Sequence, residues 1–314
     1  RVLPVLLVLG VFAALLWYGD APRIATMIER FQPIYLLWFV SLRLVHEALR
    51  GTLWLFLLKV LAIRVPISTK IFAFAAAEAV NAVPGGAFLE NAVLQRSADA
   101  TFGRSSAATT FMILGEIAVG VLGVVTLGVG VGGAWLRLAI AVTVIAAALL
   151  GVVIFAVPNA ERLPRRIREH PLVKRGLDEL MRFRAGAAAL LHPSIIAVTL
   201  VLCALYVLVS GFALYLVVRA LGIGGVSYWQ ALAATCFGLG FYAVLGSLEA
   251  AEVGVFVGIG LDKSAAVSAV LLNRALDVCV TVLLALLTMA ILRARWRAAR
   301  RSQDAQQLES DQGQ

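Results

Sequence analysis

Charged side chains lie inside apolar segments of this sequence, where such residues usually have a function or a partner. In the second apolar segment, Arg43, His46, Glu47 and Arg50 recur at spacings of three and four residues. This spacing places them on one face of a helix, where Arg43 can pair with Glu47 and Glu47 with Arg50. The charged stripe either neutralises itself and holds a helix bundle together or contacts a substrate.

Further charged and amide side chains lie in two apolar stretches that are broken in the middle, and in the segments that follow them. A charge at the centre of a bilayer costs about 2.5 to 3.5 kcal/mol on insertion scales, so each one needs a partner or water. We predict that a central polar cavity, lined by these residues, accepts a lipid head group, with Glu116 close enough to Arg274 to pair. The predicted substrate-binding residues are Arg43, Glu47, Glu90, Asn91, Arg96, Glu116, Glu249, Glu252, Arg274 and Asp277. The alternative is a set of purely structural salt bridges.

Enzyme motifs are incomplete in this sequence. The run from His46 to Arg50 begins like the helix motif of zinc proteases, but Arg50 replaces the second histidine. The run from Gly246 to Glu249 lacks the second glycine of a serine nucleophile elbow, and a glycine-rich phosphate loop is absent. We therefore expect no catalytic residue, no metal and no cofactor, and any movement of a substrate would be passive, coupled to an ion or driven by a partner.

The composition is that of an integral membrane protein. Of the 314 residues, 61% are hydrophobic and 14% are charged, and the mean hydropathy is +0.94. A soluble domain needs far more polar surface, so soluble enzymes are excluded, and runs of about 20 apolar residues predict an all-α fold that spans the bilayer.

The net charge is +9, and about half of the 27 lysine and arginine residues lie in two basic clusters that flank apolar segments. One lies between Arg162 and Arg184, and the other begins at Arg293. Basic residues beside spans mark the cytoplasmic side, so we expect both termini to be cytoplasmic in a bacterial inner membrane, and the first cluster to contact anionic lipid head groups. No recognisable nucleic-acid-binding module accompanies this positive charge, so we do not expect nucleic acid as a partner.

Breaks in hydropathy divide the chain into spans and hairpins. We predict six spanning helices near residues 2–18, 33–62, 104–132, 135–157, 193–220 and 263–292. The stretches 68–102 and 227–260 break at the predicted hinges Pro84, Gly85, Gly86 and Gly246, and their halves of about 14 to 18 residues suit re-entrant hairpins. Residues 1–292 then form one transmembrane domain, with a basic loop at 158–192 that includes an interfacial amphipathic helix near 172–191, and a disordered tail at 293–314.

The sequence contains a weak internal repeat. Glu90 matches Glu249 at an offset of 159 residues, and Glu116 falls on Arg274 at an offset of 158. Repeat 1 covers about 33–132 and repeat 2 about 193–292. The predicted topology makes them inverted, which is the architecture of secondary transporters with a binding site at the repeat interface. The alternative is an ordinary bundle with two kinked helices.

The break in each repeat, followed by Glu90 or by the run Gly246 to Glu249, resembles the lysylphosphatidylglycerol synthase transmembrane, or flippase-like, family. The resemblance covers about residues 5–292 and implies a domain that moves or exposes lipids between leaflets, as in stand-alone members that include a hopanoid-associated branch. The family pattern is Pro-Gly-Arg-x-Gly-Glu. The run from Pro84 to Glu90 lacks the arginine of this pattern, although Arg96 supplies a positive charge six residues later. Only 22 residues follow Leu292, so aminoacyl transfer is not expected of this chain.

The sequence therefore predicts a transporter or flippase-like protein that moves a polar-headed or hopanoid-type lipid between leaflets. The alternative is a non-catalytic membrane scaffold for a lipid-modifying enzyme, which would then be its partner. Self-association is compatible with either function.

Overall fold

The computed structural model describes residues 17–18, 20–29, 31–80, 86–95, 100–127, 171–240 and 247–312. These residues form helices and connecting turns without a β-strand, which confirms the predicted all-α fold. A short 3-10 helix, Gly86–Phe88, precedes the α-helix Leu89–Leu94. The helices are α1 Ala21–Glu29, α2 Ile34–Val60, α3 Ile67–Glu78, α4 Leu89–Leu94, α5 Phe102–Leu127, α6 Pro171–Leu190, α7 Pro193–Ala220, α8 Tyr228–Gly240, α9 Ser247–Gly258 and α10 Lys263–Gln312.

Three helices in the described ranges have the length and composition to cross a membrane: α5, α7 and the part Lys263–Arg295 of α10. Helix α2 has 27 residues, about 40 Å of helix, and carries the charged stripe. These four helices match four of the predicted spans. The predicted spans 2–18, except for Trp17 and Tyr18, and 135–157 lie outside the described residues.

The two predicted hairpins consist of short helices. Helices α3, α8 and α9 have 12, 13 and 12 residues, and α4 has six, so each is shorter than the predicted halves. None of the four reaches the roughly 20 residues that a spanning helix needs. Helix α3 packs on α4 and α8 packs on α9, as the two arms of a hairpin do. Gly86 opens the 3-10 helix, whereas Pro84, Gly85 and Gly246 lie outside the described residues.

Helices α2 and α7 end in the same way. At the end of α2, Ile63 donates its backbone N–H to Leu58, and Ala62 adopts a left-handed φ of 50°. At the end of α7, Ile223 donates to Val218, and Gly222 adopts a φ of 71°. Both are Schellman caps, which satisfy the last carbonyl groups of a helix. Their spacing of about 160 residues along the chain agrees with the offset of the proposed repeat.

The packing of the two proposed repeats is reciprocal. Helix α2 packs on α7, α3 packs on α10, and α8 packs on α5. Helices α2 and α7 run antiparallel, since the backbone N–H of Gln32, just before α2, donates to Ala220 at the end of α7 over 3.1 Å. The first arms of the two hairpins, α3 and α8, therefore start at opposite ends of the bundle, which is the arrangement expected of inverted repeats.

The described residues of the two basic clusters lie on helices that meet at one end of the bundle. Helix α6 lies against the start of α5, where the Glu179 carboxylate accepts the backbone N–H of Gly103 over 2.6 Å. The Arg293 guanidinium lies 5.9 Å from the ring of Phe72, near the start of α3. Leu61, just after the end of α2, lies beside α6, and α6 lies against the start of α5. Helix α3 begins a few residues after α2 ends. Helices α3 and α5 therefore both begin at the end of the bundle where α2 finishes.

The interior consists of two apolar clusters separated by the charged stripe of α2. The first contains Phe39 and Phe256 with the C-terminal part of α7. The second contains Leu53 and Trp54 with parts of α3, α5, α6 and the N-terminal part of α7. On α2 the stripe from Arg43 to Arg50 lies between them, so polar groups occupy the middle of the bundle. Large apolar side chains, such as those on α7 and α10, remain exposed on the outer surface, as suits contact with lipid.

The structure corrects the prediction for the tail. Helix α10 continues to Gln312, whereas a disordered segment was expected from residue 293. The residues after 293 are mostly alanine, arginine, glutamine and glutamate. All four are good helix formers, so they can extend a helix that packing in the bundle has already started.

Close helix packing around α5 depends on glycine, which yields a prediction for stability. A Cβ atom added at Gly120 would lie 2.8 Å from the backbone carbonyl oxygen of Cys236 on α8. Gly176 on α6 has open space at the same position. We expect Gly120→Ala to lower the free energy of unfolding by about 1 to 3 kcal/mol, because α5 and α8 must separate.

The matched variant Gly176→Ala should raise the free energy of unfolding by about 0.5 to 1 kcal/mol through helix propensity alone. Unfolding of both variants in mixed micelles by a denaturing detergent measures the difference. An equal response of the two variants would contradict the packing described for α5.

Candidate functional site

A cavity of about 150 Å³ lies in the middle of the bundle, between the two apolar clusters. Helices α2, α3, α5, α7, α8, α9 and α10 all contribute to its wall, so residues of both proposed repeats meet there. This volume has room for several water molecules. The charged residues on the wall are Arg43, Arg50, Glu78, Glu116, Glu249, Glu252, Arg274 and Asp277.

Arg50 is the most deeply buried arginine of the cavity, with 4% of its surface exposed. Its Nη1 forms an ion pair with Glu78 of α3, and its Nε lies 3.2 Å from Oε1 of Glu116 on α5. The hydroxyl of Tyr206 on α7 donates to the same Oε1 over 2.8 Å. One guanidinium therefore joins helices α2, α3 and α5, and Glu116 extends the network to α7.

Arg43 makes the corresponding connection toward α10. Its Nη2 lies 2.8 Å from Oε1 of Glu47 and 2.5 Å from Oδ1 of Asp277, and it donates to the hydroxyl of Thr281 over 3.2 Å. The predicted pairing of Arg43 with Glu47 is thus present. A buried arginine that is held by two carboxylates from two helices fixes α2 against α10.

Arg274 lies on the more open side of the cavity, with 30% of its side chain exposed. Its Nε lies 3.1 Å from Oε1 of Glu249 on α9, and its Nη1 lies 3.2 Å from Oδ2 of Asp277. Asp277 is therefore shared between Arg274 and Arg43. The structure corrects the predicted pairing of Glu116 with Arg274: both residues line the cavity, but Glu116 pairs with Arg50 of α2, whereas Arg274 pairs with Glu249 and Asp277.

Glu90 and Asn91 lie in a separate hydrogen-bonded group. The hydroxyl of Thr109 on α5 donates to Glu90, and the Asn91 amide donates to Thr109 over 2.9 Å. Both residues are buried, and neither is on the cavity wall, so the structure corrects the prediction that Glu90 lines the cavity. The short helix α4 packs on α5, and this packing turns the two side chains toward α5. Arg96 lies outside the described residues.

Sequence reasoning missed one wall of the cavity, which α7 supplies. His46 packs its ring against the ring of Tyr206, with 5.2 Å between centroids, and its Nδ1 lies 2.9 Å from the Ser210 hydroxyl. The signal was present, since Thr199, Cys203, Tyr206 and Ser210 recur at spacings of four, three and four residues in an otherwise apolar helix. This spacing is that of one helix face.

The cavity contains more acid than base. Three arginines and five carboxylates line it, and each arginine forms ion pairs with at least two carboxylates. In the described residues, no group of three or more histidine, cysteine, aspartate or glutamate side chains has a geometry that could hold a metal ion. The arrangement is therefore suited to holding water and a polar group by hydrogen bonds and by exchange of ion-pair partners.

The comparisons with known proteins give one match. The family model described as lysylphosphatidylglycerol synthase TM region matches residues 2–285. Neither the curated proteins nor the solved structures contain a match to this chain. The matched range includes every helix that lines the cavity, and only the C-terminal part of α10 extends beyond it.

Removal of the Arg50 side chain tests the ion-pair network. Arg50→Met leaves the carboxylates of Glu78 and Glu116 buried without their guanidinium, and breaking a buried pair in this way costs about 3 to 5 kcal/mol. We expect this loss in the free energy of unfolding in mixed micelles. The control Arg64→Met removes an exposed arginine and should change stability by less than about 0.5 kcal/mol.

A triple variant separates charge from packing. Adding Glu78→Gln and Glu116→Gln to Arg50→Met removes the uncompensated charges and should restore much of the stability. If the triple variant is no more stable than Arg50→Met alone, the network does not stabilise the fold through charge pairing.

Proposed function

We propose that this chain, which belongs to the family of lysylphosphatidylglycerol synthase transmembrane regions, moves polar-headed lipids between the two leaflets of a bacterial inner membrane. The observation that carries the proposal is the polar cavity in the middle of an otherwise apolar bundle. It lies between the two proposed repeats, which is where secondary transporters bind their substrates.

A lipid has a polar head group and apolar acyl chains, which match the polar cavity and the apolar outer surface of this bundle. The outer faces of α2, α7 and α10 expose large apolar side chains, whereas the interior between the apolar clusters is charged and hydrogen-bonding. Transfer of a polar group into hydrocarbon without hydrogen bonds costs roughly 2 to 7 kcal/mol. A head group in the cavity keeps its hydrogen bonds while the acyl chains remain in the bilayer, which lowers this cost.

Arg274 and Asp277 are the residues best placed to contact the head group. Arg274 is the most exposed arginine of the network, and Asp277 is shared by two arginines. A shared carboxylate can be released by one arginine while the other holds it. A phosphate or hydroxyl group can then replace Asp277 at Arg274 without leaving the guanidinium unpaired.

The orientation follows from the basic residues. Helix α6 and the basic part of α10 lie at the end of the bundle where α2 finishes. The positive-inside rule assigns this end to the cytoplasm, and the basic side chains of α6 then face anionic head groups of the inner leaflet.

Lipid exchange in vesicles tests the proposal. The purified chain is reconstituted into vesicles that contain a trace of fluorescent phosphatidylglycerol or phosphatidylethanolamine, or a hopanoid, and the fraction reached by a membrane-impermeant quencher is followed over time. We expect exchange to be faster than in protein-free vesicles. Absence of exchange for every lipid would overturn the proposal and favour the scaffold function.

Two variants connect the exchange to the cavity. Arg274→Glu places a fourth carboxylate beside Glu249, Glu252 and Asp277, and Glu249→Gln removes the negative charge that pairs with Arg274, so we expect each to slow exchange at least tenfold. Arg64→Glu makes the same charge change at an exposed position and should exchange at the rate of the unmodified chain. Unmodified rates for both cavity variants, at equal amounts of reconstituted protein, would contradict this role.

A further inference from the structure

Glu252 differs from the other carboxylates of the cavity. It lies on α9, it is on the cavity wall, and only 5% of its surface is exposed. In the part of the chain that the structure describes, it makes neither a hydrogen bond nor an ion pair. The other four carboxylates on the wall each pair with an arginine: Glu78, Glu116, Glu249 and Asp277.

The groups that face Glu252 do not neutralise it. Helix α8 contributes Gly238, where an added Cβ atom would lie 3.1 Å from Cγ of Glu252. Helix α10 contributes Arg274 and Asp277, and α9 itself contributes Glu249. Arg274 already pairs with Glu249 and Asp277, and Arg43 pairs with Asp277 and Glu47, so these two arginines face four carboxylates when Glu252 is included.

An unpaired carboxylate in such a place is costly. Burying an ionised carboxyl group without a partner costs several kcal/mol, and the group avoids this cost by binding a cation. A metal ion does not suit the site, because Arg274 repels it and the described residues contain no metal-holding group of side chains. A proton needs only the carboxylate itself.

We propose that Glu252 binds a proton and couples its movement to the movement of the lipid, an inference that rests on the proposed function for the direction and use of the coupling. A proton from water on one side of the membrane binds the Glu252 carboxylate and gives a neutral carboxylic acid. The same proton later leaves to water on the other side, so one proton crosses and no other bond changes.

The charge of Glu252 provides the coupling. In the ionised form, repulsion from Glu249 and Asp277 and the need for hydration favour an open, water-filled cavity. In the neutral form, the cavity can lose water and close. A head group that binds the open form therefore biases the release of the proton, and the proton gradient biases the movement of the head group.

Infrared spectroscopy of the reconstituted chain tests proton binding without any lipid transport. We expect the unmodified protein to show the carbonyl band of protonated carboxyl groups that disappears as the pH is raised, and Glu252→Gln to lose the part of this band that Glu252 contributes. Glu29→Gln, which changes an exposed carboxylate, should keep it. The same titratable band in Glu252→Gln and in the unmodified chain would overturn the proposal.

Lipid distribution under a proton gradient tests the coupling. With one proton for each lipid, a gradient of one pH unit shifts the steady-state ratio of lipid between leaflets by up to about tenfold. We expect a shift of up to this size for the unmodified chain and a lipid ratio between leaflets near one for Glu252→Gln. Lipid exchange without any effect of the gradient in the unmodified chain would overturn the coupling and leave the proposed function intact. A titratable Glu252 band in a chain that moves no lipid would support the proton site and overturn the proposed function.

Discussion

The pairing of buried arginines with carboxylates is the interaction on which the rest of this structure depends. An unpaired guanidinium in the interior of a membrane protein is costly, so its partners must come from the helices that surround it. Arg50 takes its partners from α3 and α5, and Arg43 takes one from α10. The positions of these helices around α2 therefore follow from two side chains on one face of one helix.

The same pairing creates the cavity. Two apolar clusters pack well on either side of the charged stripe, but guanidinium and carboxylate groups need hydrogen bonds that apolar side chains cannot supply. Space with polar walls remains between the clusters, open to partial hydration on the side of Arg274. Static ion pairs at Arg50 and a shared, more exposed carboxylate at Asp277 divide the cavity into a rigid part and a part in which partners can exchange.

Much of the fold was predictable because it depends on local patterns. The spacing of Arg43, Glu47 and Arg50 predicted a charged helix face, and the hydropathy breaks predicted the short helices of the hairpins. The reciprocal packing of α3 on α10 and α8 on α5 supports the inverted repeat that weak sequence matches indicated. The extension of α10 was not predicted, because a polar composition is common to disordered tails and exposed helices, although the residues of this segment are good helix formers.

The partners within the site were less predictable because they depend on how each helix is rotated about its axis. Glu90 has the same residue type and repeat position as Glu249, but α4 turns it toward Thr109 and α9 turns Glu249 toward Arg274. Tyr206 was missed because a single tyrosine in an apolar helix is ordinary, and only its spacing with Ser210 marks a polar face. Sequence spacing fixes which residues share a face, whereas tertiary packing decides what that face meets.

The central claim is that the cavity between the repeats holds a lipid head group. Cryo-electron microscopy of the chain in nanodiscs of native-like lipid tests it most directly. We expect density for a head group between α9 and α10, in contact with Arg274, with its acyl chains extending into the bilayer. A well-resolved map with lipid only around the outer surface, and with the charged residues packed against one another without space between them, would contradict it.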